Sequence, residues 1–442
     1  MAKTKGTGAV WIVRDPLFGD GGKARMVDYL TGEDRVSGVV RWNGGDNAGH
    51  TVVVGDKKIA LHAVPAGVVR NSGHRNECAI LSVIGRGVVI NLKRLHNEID
   101  SLNQVGIWAT PKTLLISEGA HLTLAYHMAL ESAREESVGK KDTTKKAISQ
   151  TYAFGRLYQG IRAGDLRNLK LVKELIQEPL AYANGILQQV YGKPPVSTDE
   201  VMAELENHRD FFLPFLGNEI LALNRIIHHD GKIVICEGAQ SGMLDPDLGI
   251  YPNTTASNTW PGSIQHGCGL DPRLITRDIL VVKAFTSRVG IGPLVAEIKD
   301  NLADLIREKG KEFGTTTGRP RRIGWNDQVI ARYCALVGPG TELAITKVDI
   351  LAGIDPLKIC IDYNHNGVYA PIFPTNAEEL ASCEPVFMEM PGWTKDITGI
   401  TEWRDLPKNA ADYLEAIAKP YGCPIKFVGT GPERSQLIVR WT

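Results

Sequence analysis

Short apolar runs alternate along the chain with segments of helical periodicity. The runs predict strands at residues 9–13, 36–41, 79–84, 113–117, 233–237, 279–285, 343–346, 359–363 and 425–428. Several are rich in Val and Ile and do not alternate with polar residues, as expected of strands buried on both faces. The pattern predicts the α/β class, with one large, mostly parallel central sheet flanked by helices in a single domain over residues 1–442.

The helical periodicity predicts helices at residues 25–30, 92–102, 122–133, 169–191, 200–228 and 409–418. Ser197 stands three residues before Glu200, a spacing typical of a capping box ahead of the fifth helix. Residues 138–160 are polar and weakly periodic, and the sequence predicts a mobile loop there.

The charge and cysteine content narrow the class of protein. The 442 residues contain 50 Lys and Arg against 50 Asp and Glu, so no overall field favours nucleic acid or a membrane surface. The seven cysteines are odd in number and form no C-x-x-C pair, which indicates reduced thiols in a cytoplasmic compartment. We expect no signal peptide and no membrane span.

Two glycine-rich turns near the start of the chain predict a nucleotide site. The first, Gly19-Asp20-Gly21-Gly22-Lys23, joins the first strand to a helix, and the second runs from Gly44 to Thr51. Backbone N–H groups at such a turn face an anion, and a lysine adds charge. The first turn is not a Walker A motif, because Ala24 follows the lysine where a Mg²⁺-binding hydroxyl belongs. Asp20 is expected to supply an anionic oxygen instead, to act as a base, or both.

Further polar segments follow the predicted strands. Glu237-Gly238-Ala239-Gln240 directly follows one strand, in the place where open α/β sheets bind ligands. Residues 254–258 form a hydroxyl-rich loop that suits either phosphate oxygens or helix capping. Residues 314–322 combine three threonines with three arginines, which predicts a clamp for a small anion. Lys347-Val348-Asp349 ends another strand and is similar to the guanine-reading element of GTP-binding proteins.

Together these segments resemble the adenylosuccinate synthetase family. The ordered motifs are G-D-x-G-K, G-G-x-N-A-G-H-T, E-G-A-Q, T-T-G-R, T-K-x-D and T-G-P-x-R, and the resemblance spans roughly residues 9–440. It implies a P-loop-NTPase-like fold, a homodimer, and a GTP- and Mg²⁺-dependent ligase. Such a ligase joins L-aspartate to C6 of IMP, after the 6-oxygen of the purine has been phosphorylated.

The resemblance also implies the roles of individual residues. Asp20, Lys23, His50 and Gln240 would be catalytic, with Asp20 taking the N1 proton of the purine. Mg²⁺ would be bound by Asp20 and the Gly49 carbonyl. The substrate nucleotide would be held by Asn47, Thr144, Gln240, Thr255 and Arg319. L-Aspartate would be held by Thr316, Thr317, Arg319 and Arg321. GTP would be held by Gly22, Lys23, Thr51, Lys347, Asp349, Gly429 and Gly431.

The chain departs from the family pattern around the substrate nucleotide. Gly21 replaces a glutamate, residues 142–150 lack the glycines of the family's phosphate loop, and Tyr158 stands where the partner subunit usually lends an arginine. Gly21 is expected to make room beside the purine. Two alternatives therefore stay open: a viral-type relative that aminates GMP or dGMP on the way to diaminopurine, and a nucleotide-binding regulator without catalysis.

Overall fold

The computed structural model describes residues 7–54, 57–72, 80–137, 144–314, 318–365, 367–369, 373–374 and 376–440. A ten-stranded sheet organises these residues. In spatial order its strands are Leu437–Val439, Ile425–Gly429, Glu342–Thr346, Ile275–Lys283, Ala9–Arg14, Ile233–Glu237, Val36–Arg41, Leu81–Ile84, Leu114–Ser117 and Leu216–Gly217. Neighbouring strands are parallel except for the antiparallel edge strand Leu437–Val439. The predicted α/β class with a large, mostly parallel sheet is confirmed.

Smaller sheets and helices surround this core. One small sheet combines Asn326–Asp327, Leu357–His365, Val368–Tyr369 and Glu384–Met390, and strand pairs join His50–Val54 to Lys57–Leu61, Thr286–Arg288 to Arg322–Gly324, and Val89–Ile90 to His121–Leu122. The α-helices are Lys23–Leu30, Leu92–Gln104, Ala125–Ser137, Ile148–Arg156, Leu169–Leu175, Gln177–Gln189, Thr198–Phe212, Glu219–Asn224, Ile264–Cys268, Asn301–Gly310, Gln328–Val337, Ala377–Ala381 and Lys408–Ala418. In the described part of the chain, no helix is both long and apolar enough to cross a bilayer.

Three predicted segments differ from the structure. The predicted loop at 138–160 is wrong over its second half, because Ile148–Arg156 is a helix whose residues Ile148, Thr151 and Phe154 are buried one turn apart. Residues 138–143 lie outside the described residues. The helix predicted at 169–191 divides at Ile176 into two helices, since Pro179 starts a new first turn. The helix predicted at 200–228 is interrupted: Thr198–Phe212 ends where Pro214 begins a different turn, and Glu219–Asn224 is a separate helix.

The parallel arrangement fixes where the functional loops meet. The first strand lies between Ile275–Lys283 and Ile233–Glu237, and Glu342–Thr346 and Ile425–Gly429 continue beyond the former. Because parallel strands end at the same edge of a sheet, the polar segments that follow them are gathered there. Apolar residues cover both faces of the sheet in separate clusters, so this edge is where polar groups concentrate.

Candidate active site

A buried carboxylate shapes the loop after the first strand. Asp15 accepts hydrogen bonds from the backbone N–H groups of Leu17 at 2.8 Å and Gly21 at 3.0 Å. Burial raises the pKa of Asp15, although the charges of Lys23 and Lys283 act in the opposite direction. These bonds hold the backbone of the glycine-rich turn from the inside.

The helix that follows this turn begins in a form suited to an anion. Gly22 occupies the N-cap with φ 96°, and no described side chain caps the helix, so its first N–H groups are available to a ligand. Lys23 is buried, and its Nζ donates to the carbonyl oxygen of Gln240 at 2.7 Å. Burial lowers the pKa of Lys23, whereas the nearby carboxylates Asp15 and Asp20 raise it. The turn therefore combines a helix N-terminus with a fixed lysine.

The second glycine-rich turn packs against the strand end that carries Gln240. The Asn43 side chain accepts from the Ala239 N–H at 3.0 Å and donates to the Ala239 carbonyl oxygen at 3.2 Å. The Gln240 amide donates to Asn47 Oδ1 at 3.1 Å and accepts from the Ser257 hydroxyl at 3.2 Å. A Cβ atom on Gly44 would lie 2.8 Å from both Ala239 Cβ and Gln240 Oε1, so this approach requires glycine.

Arg321, in the arginine-rich loop at residues 314–322, reaches the first glycine-rich turn. Arg321 is buried, and its Nη2 lies 3.0 Å from Oδ2 of Asp20, whose side chain is 35% exposed. Its Nη1 donates to Glu312 at 2.9 Å. Burial alone would raise the pKa of Glu312, but the positive charges of Lys283, Lys347 and Arg321 outweigh burial and hold it well below the usual value. The buried carboxylate is therefore ionised.

A fourth group of residues surrounds Asp349. Burial raises the pKa of this carboxyl, and the charges of Lys347 and Arg25 act against the shift. Arg25 donates to the carbonyl oxygen of Gly431 at 2.6 Å and to that of Gln436 at 2.7 Å. The first helix thereby holds the loop after the strand Ile425–Gly429 close to Asp349. The arrangement provides a carboxylate beside backbone groups, which can read a base.

Comparison with known proteins identifies the family of this site. A family model described as adenylosuccinate synthetase matches residues 13–438. The adenylosuccinate synthetase of Clostridium botulinum strain 657 is 40% identical over 433 residues, which cover 98% of this chain and 99% of the relative. The fully ligated adenylosuccinate synthetase of Plasmodium falciparum is similar in structure, with a TM-score of 0.88, 31% identity and coverage of 98% of this chain and 100% of that one.

The chain belongs to the adenylosuccinate synthetase family. It is therefore a carbon–nitrogen ligase of purine nucleotide biosynthesis. A more distant structural neighbour is the succinoaminodeoxyadenylate synthetase of cyanophage S-2L, bound to dGMP and to dATP as an energy donor. At 17% identity and a TM-score of 0.58, with 98% of this chain and 95% of that one covered, this likeness shows the shared fold alone.

Several residues that the family resemblance singles out lie in the contacts described above. They are Asp20, Gly22, Lys23, Asn47, Gln240, Arg321, Lys347, Asp349 and Gly431. Gly429 ends the strand before the loop that Arg25 holds. Thr255 follows the Gln240 segment, and its N–H donates to Leu244 at 2.8 Å. Gly49 lies in the second turn. Arg319 is exposed, and its carbonyl oxygen accepts from the Gly314 N–H at 2.8 Å. Thr316 and Thr317, and the side chains of His50 and Thr51, lie outside the described residues.

The structure contradicts the expected effect of Gly21 within this family site. A Cβ atom at Gly21 would lie 2.7 Å from Asp15 Oδ2 and 2.7 Å from the Val281 carbonyl oxygen. A side chain at this position would therefore point toward the sheet and the buried Asp15. Gly21 allows close packing of the loop on the strand Ile275–Lys283, and protein atoms already fill the space that a side chain would take.

The segment that replaces the family's phosphate loop is held by charged groups. Asp46, in the second turn, accepts from Arg94 at 2.8 Å and lies 3.6 Å from Lys146 Nζ. Thr144 is exposed two residues earlier, at the start of this segment. Tyr158, at the place of the family's partner arginine, is 99% exposed with φ 63°.

Other site residues were missed by the sequence analysis. Asp15, Arg25, Lys283 and Glu312 all make contacts around the predicted loops. Asp15 and Lys283 end apolar strands or directly follow them, and a charged residue in that place is a signal that sequence reasoning can use. Arg25 and Glu312 carry no comparable signal, because their partners are distant in the chain.

Proposed function

We propose that this ligase joins the amino group of L-aspartate to C6 of IMP with hydrolysis of GTP, giving adenylosuccinate through a 6-phosphoryl intermediate. The main support for the proposal is that two other polar loops meet at the Asp20–Lys23 turn. Gln240 reaches this turn from one side through Lys23, and Arg321 reaches it from the other through Asp20. Acceptor, amino acid and phosphoryl donor would therefore meet at one point, as phosphoryl transfer requires.

The reaction proceeds in two steps at this turn, phosphoryl transfer and then displacement of phosphate. The Asp20 carboxylate accepts the N1 proton of IMP while the 6-oxygen attacks the γ-phosphorus of GTP, and GDP leaves. The amino nitrogen of L-aspartate then attacks C6, phosphate leaves with the former 6-oxygen, and the proton lost from the nitrogen goes to the departing phosphate. Lys23 and the uncapped helix N-terminus neutralise charge on the transferring group. His50 is assigned to the same charge stabilisation on the family resemblance.

The substrate nucleotide and the amino acid are assigned to opposite sides of the turn. Asn47, Gln240, Thr255 and Thr144 hold the nucleotide, and the bond between Gln240 and Asn47 at 3.1 Å fixes one amide relative to the other. Arg321, Arg319 and the two threonines Thr316 and Thr317 hold L-aspartate, whose carboxylates suit a guanidinium fork. Since Gly21 opens no space for a 2-amino group, this side of the site supports IMP rather than a guanylate.

The phosphoryl donor is assigned as GTP. Asp349 accepts from the N1–H and 2-amino groups of guanine, and adenine offers no such donor pair, so ATP would leave the carboxylate unpaired. Gly429 and Gly431 contribute backbone groups from the loop that Arg25 holds. The cyanophage relative, which uses dATP, is too distant to argue for an adenine donor here.

The residues at the turn fit Mg²⁺. This cation usually binds one or two carboxylates together with phosphate oxygens and water, and the partly exposed Asp20 carboxylate provides such a ligand. Asp20 and the Gly49 carbonyl would hold Mg²⁺, which supplies charge neutralisation on the phosphates.

Two further assignments concern the whole protein. We assign a cytoplasmic location, which is supported by the six free cysteines among the described residues, five of them buried. We also assign a homodimer, as the family resemblance implies.

Turnover with a panel of acceptors tests the proposal. The protein is incubated with GTP, Mg²⁺ and L-aspartate, and IMP, dIMP, GMP or dGMP is added separately. Phosphate release is measured and the product is identified by mass. Release with IMP and a product of the mass of adenylosuccinate are expected. Release only with a guanylate would favour the diaminopurine alternative, and GTP binding without release would favour a regulator.

A further inference from the structure

Glu312 is a buried carboxylate with no role in the reaction described above. It follows the helix Asn301–Gly310 by two residues, and its side chain is fully buried. Its backbone pairs with that of Arg321, whose N–H donates to the Glu312 carbonyl at 2.9 Å. The two residues therefore close the base of the loop that carries the arginine clamp.

The two oxygens of this carboxylate serve two different substrate subsites. Oε1 accepts from Lys347, the residue that precedes Asp349 by two positions. Oε2 accepts from Arg321 at 2.9 Å, from the Ser287 hydroxyl at 2.8 Å and from Lys283 at 3.1 Å. One oxygen thus faces the element assigned to the base, and the other faces the arginine assigned to L-aspartate.

The partners of Glu312 hold their positions through few other contacts. Lys347 has φ 57°, in the left-handed region, and within the described part of the chain its side chain donates besides to the Gly310 carbonyl oxygen at 2.6 Å. One Nη of Arg321 pairs with Glu312 and the other with Asp20. Its buried Nε has no hydrogen-bond partner among the described residues. A ligand that moves either cation therefore changes the charge balance at the same buried carboxylate.

A buried anion binds its remaining cations more tightly when one of them is drawn away, because the interior screens charge weakly. We infer that Glu312 is a positioning residue that couples the amino-acid and base subsites, so that L-aspartate and GTP bind cooperatively. The inference rests on the proposed function of these subsites. Glu312 acts through Arg321 and Lys347, and it touches neither substrate.

The matched experiment compares two fully buried carboxylates, each bonded to basic side chains. Glu312→Gln keeps the shape of the side chain and removes its charge. Glu219→Gln is the control, because Glu219 is also fully buried and bonded to an arginine, Arg86 at 2.6 Å, outside the assigned site. Ser287→Ala removes one hydroxyl donor to Glu312 and serves as a milder test if the first variant fails to fold. Circular dichroism and thermal melting establish folding for each protein.

The readout is the coupling between two ligands, which a purely structural carboxylate would not change. Binding of β,γ-imido-GTP is measured by calorimetry with Mg²⁺ and IMP present, both without and with saturating L-aspartate. We expect L-aspartate to tighten binding of the analogue by about fivefold or more in the wild type. We expect the ratio to approach one in E312Q, to fall at least in part in S287A, and to stay at the wild-type value in E219Q.

The results distinguish failure of the coupling between the subsites from failure of the proposed function. An unchanged ratio in folded E312Q, or in S287A if E312Q does not fold, would overturn the inference. Absence of coupling in the wild type would do the same, while turnover with IMP would leave the proposed function standing. A wild type that binds no β,γ-imido-GTP would overturn both.

Discussion

At the scale of single residues, the choice of phosphoryl donor depends on one carboxylate. Asp349 is partly buried beside Lys347 and Arg25, and its charge is the only feature assigned here that separates guanine from adenine. A carboxylate that accepts two hydrogen bonds from a base gains energy that a neutral amide does not reproduce. The donor preference is therefore a property that one substitution can change.

Asp349→Asn is expected to lower the preference for GTP over ATP by roughly tenfold or more, because bonds to a charged group contribute about 1.5–3 kcal/mol. The measurement is the ratio of kcat/KM for the two donors. Asp396→Asn is the control, since Asp396 is a neighbouring carboxylate that affects the pKa of Asp349 and lies at the surface. An unchanged ratio in D349N would remove the guanine assignment.

A second prediction at this scale concerns the packing around Gly21. Gly21→Ala would place a methyl group 2.7 Å from Asp15 Oδ2 and from the Val281 carbonyl, so we expect a loss of about 1–3 kcal/mol in the free energy of unfolding. Gly185→Ala is the control, because nothing lies within 4 Å of a Cβ atom there and the residue is inside the helix Gln177–Gln189. That variant should gain about 0.5–1 kcal/mol. Denaturant unfolding measures both changes, and equal stability of G21A and wild type would refute the packing argument.

At the scale of elements, sequence periodicity located strands better than helix ends. The strands Val36–Arg41 and Ile233–Glu237 agree with their predicted bounds, because continuous apolar runs admit few other positions. The helix Ile148–Arg156 escaped prediction, since its buried face contains a threonine and its outer face is polar. Its burial depends on tertiary contacts, such as the bond between Thr151 and Thr123 at 2.9 Å, which no local pattern reports.

The helix Ala125–Ser137 contains a histidine that makes the stability of the protein depend on pH. His127 is fully buried, and its Nδ1 accepts from the Leu124 N–H at 3.0 Å. Burial, together with the nearby His121, lowers the pKa of His127 to about 3 from 6.5. A protonated Nδ1 would face a donor, so the folded state keeps this ring neutral.

Above pH 6.5 the neutral His127 ring contributes fully to the free energy of unfolding. This contribution is lost as the pH falls, because only the unfolded state then binds the proton. Between pH 8 and pH 5 the loss should be about 2 kcal/mol. His127→Asn keeps an acceptor that does not titrate, so its free energy of unfolding should vary less over this interval. Urea unfolding at several pH values compares the two proteins, and parallel curves would contradict the assignment.

At the scale of the whole molecule, the assembly of the site follows from strand order. The sequence indicated that polar segments follow parallel strands, and hence that they share one edge of the sheet. It contained no information on which strands are neighbours. The order places Asp20, Gln240 and Arg321, which are far apart in the chain, within reach of shared partners.

In the proposed reaction, the oxygen at C6 of the acceptor is phosphorylated and then displaced by L-aspartate. The most direct measurement uses IMP labelled with ¹⁸O at C6, together with unlabelled GTP, Mg²⁺ and L-aspartate, and determines the mass of the phosphate released. Phosphorylation of the 6-oxygen predicts one ¹⁸O atom in each phosphate, formed in equal amount with adenylosuccinate. Unlabelled phosphate, released by hydrolysis of GTP without transfer to the purine, would contradict it.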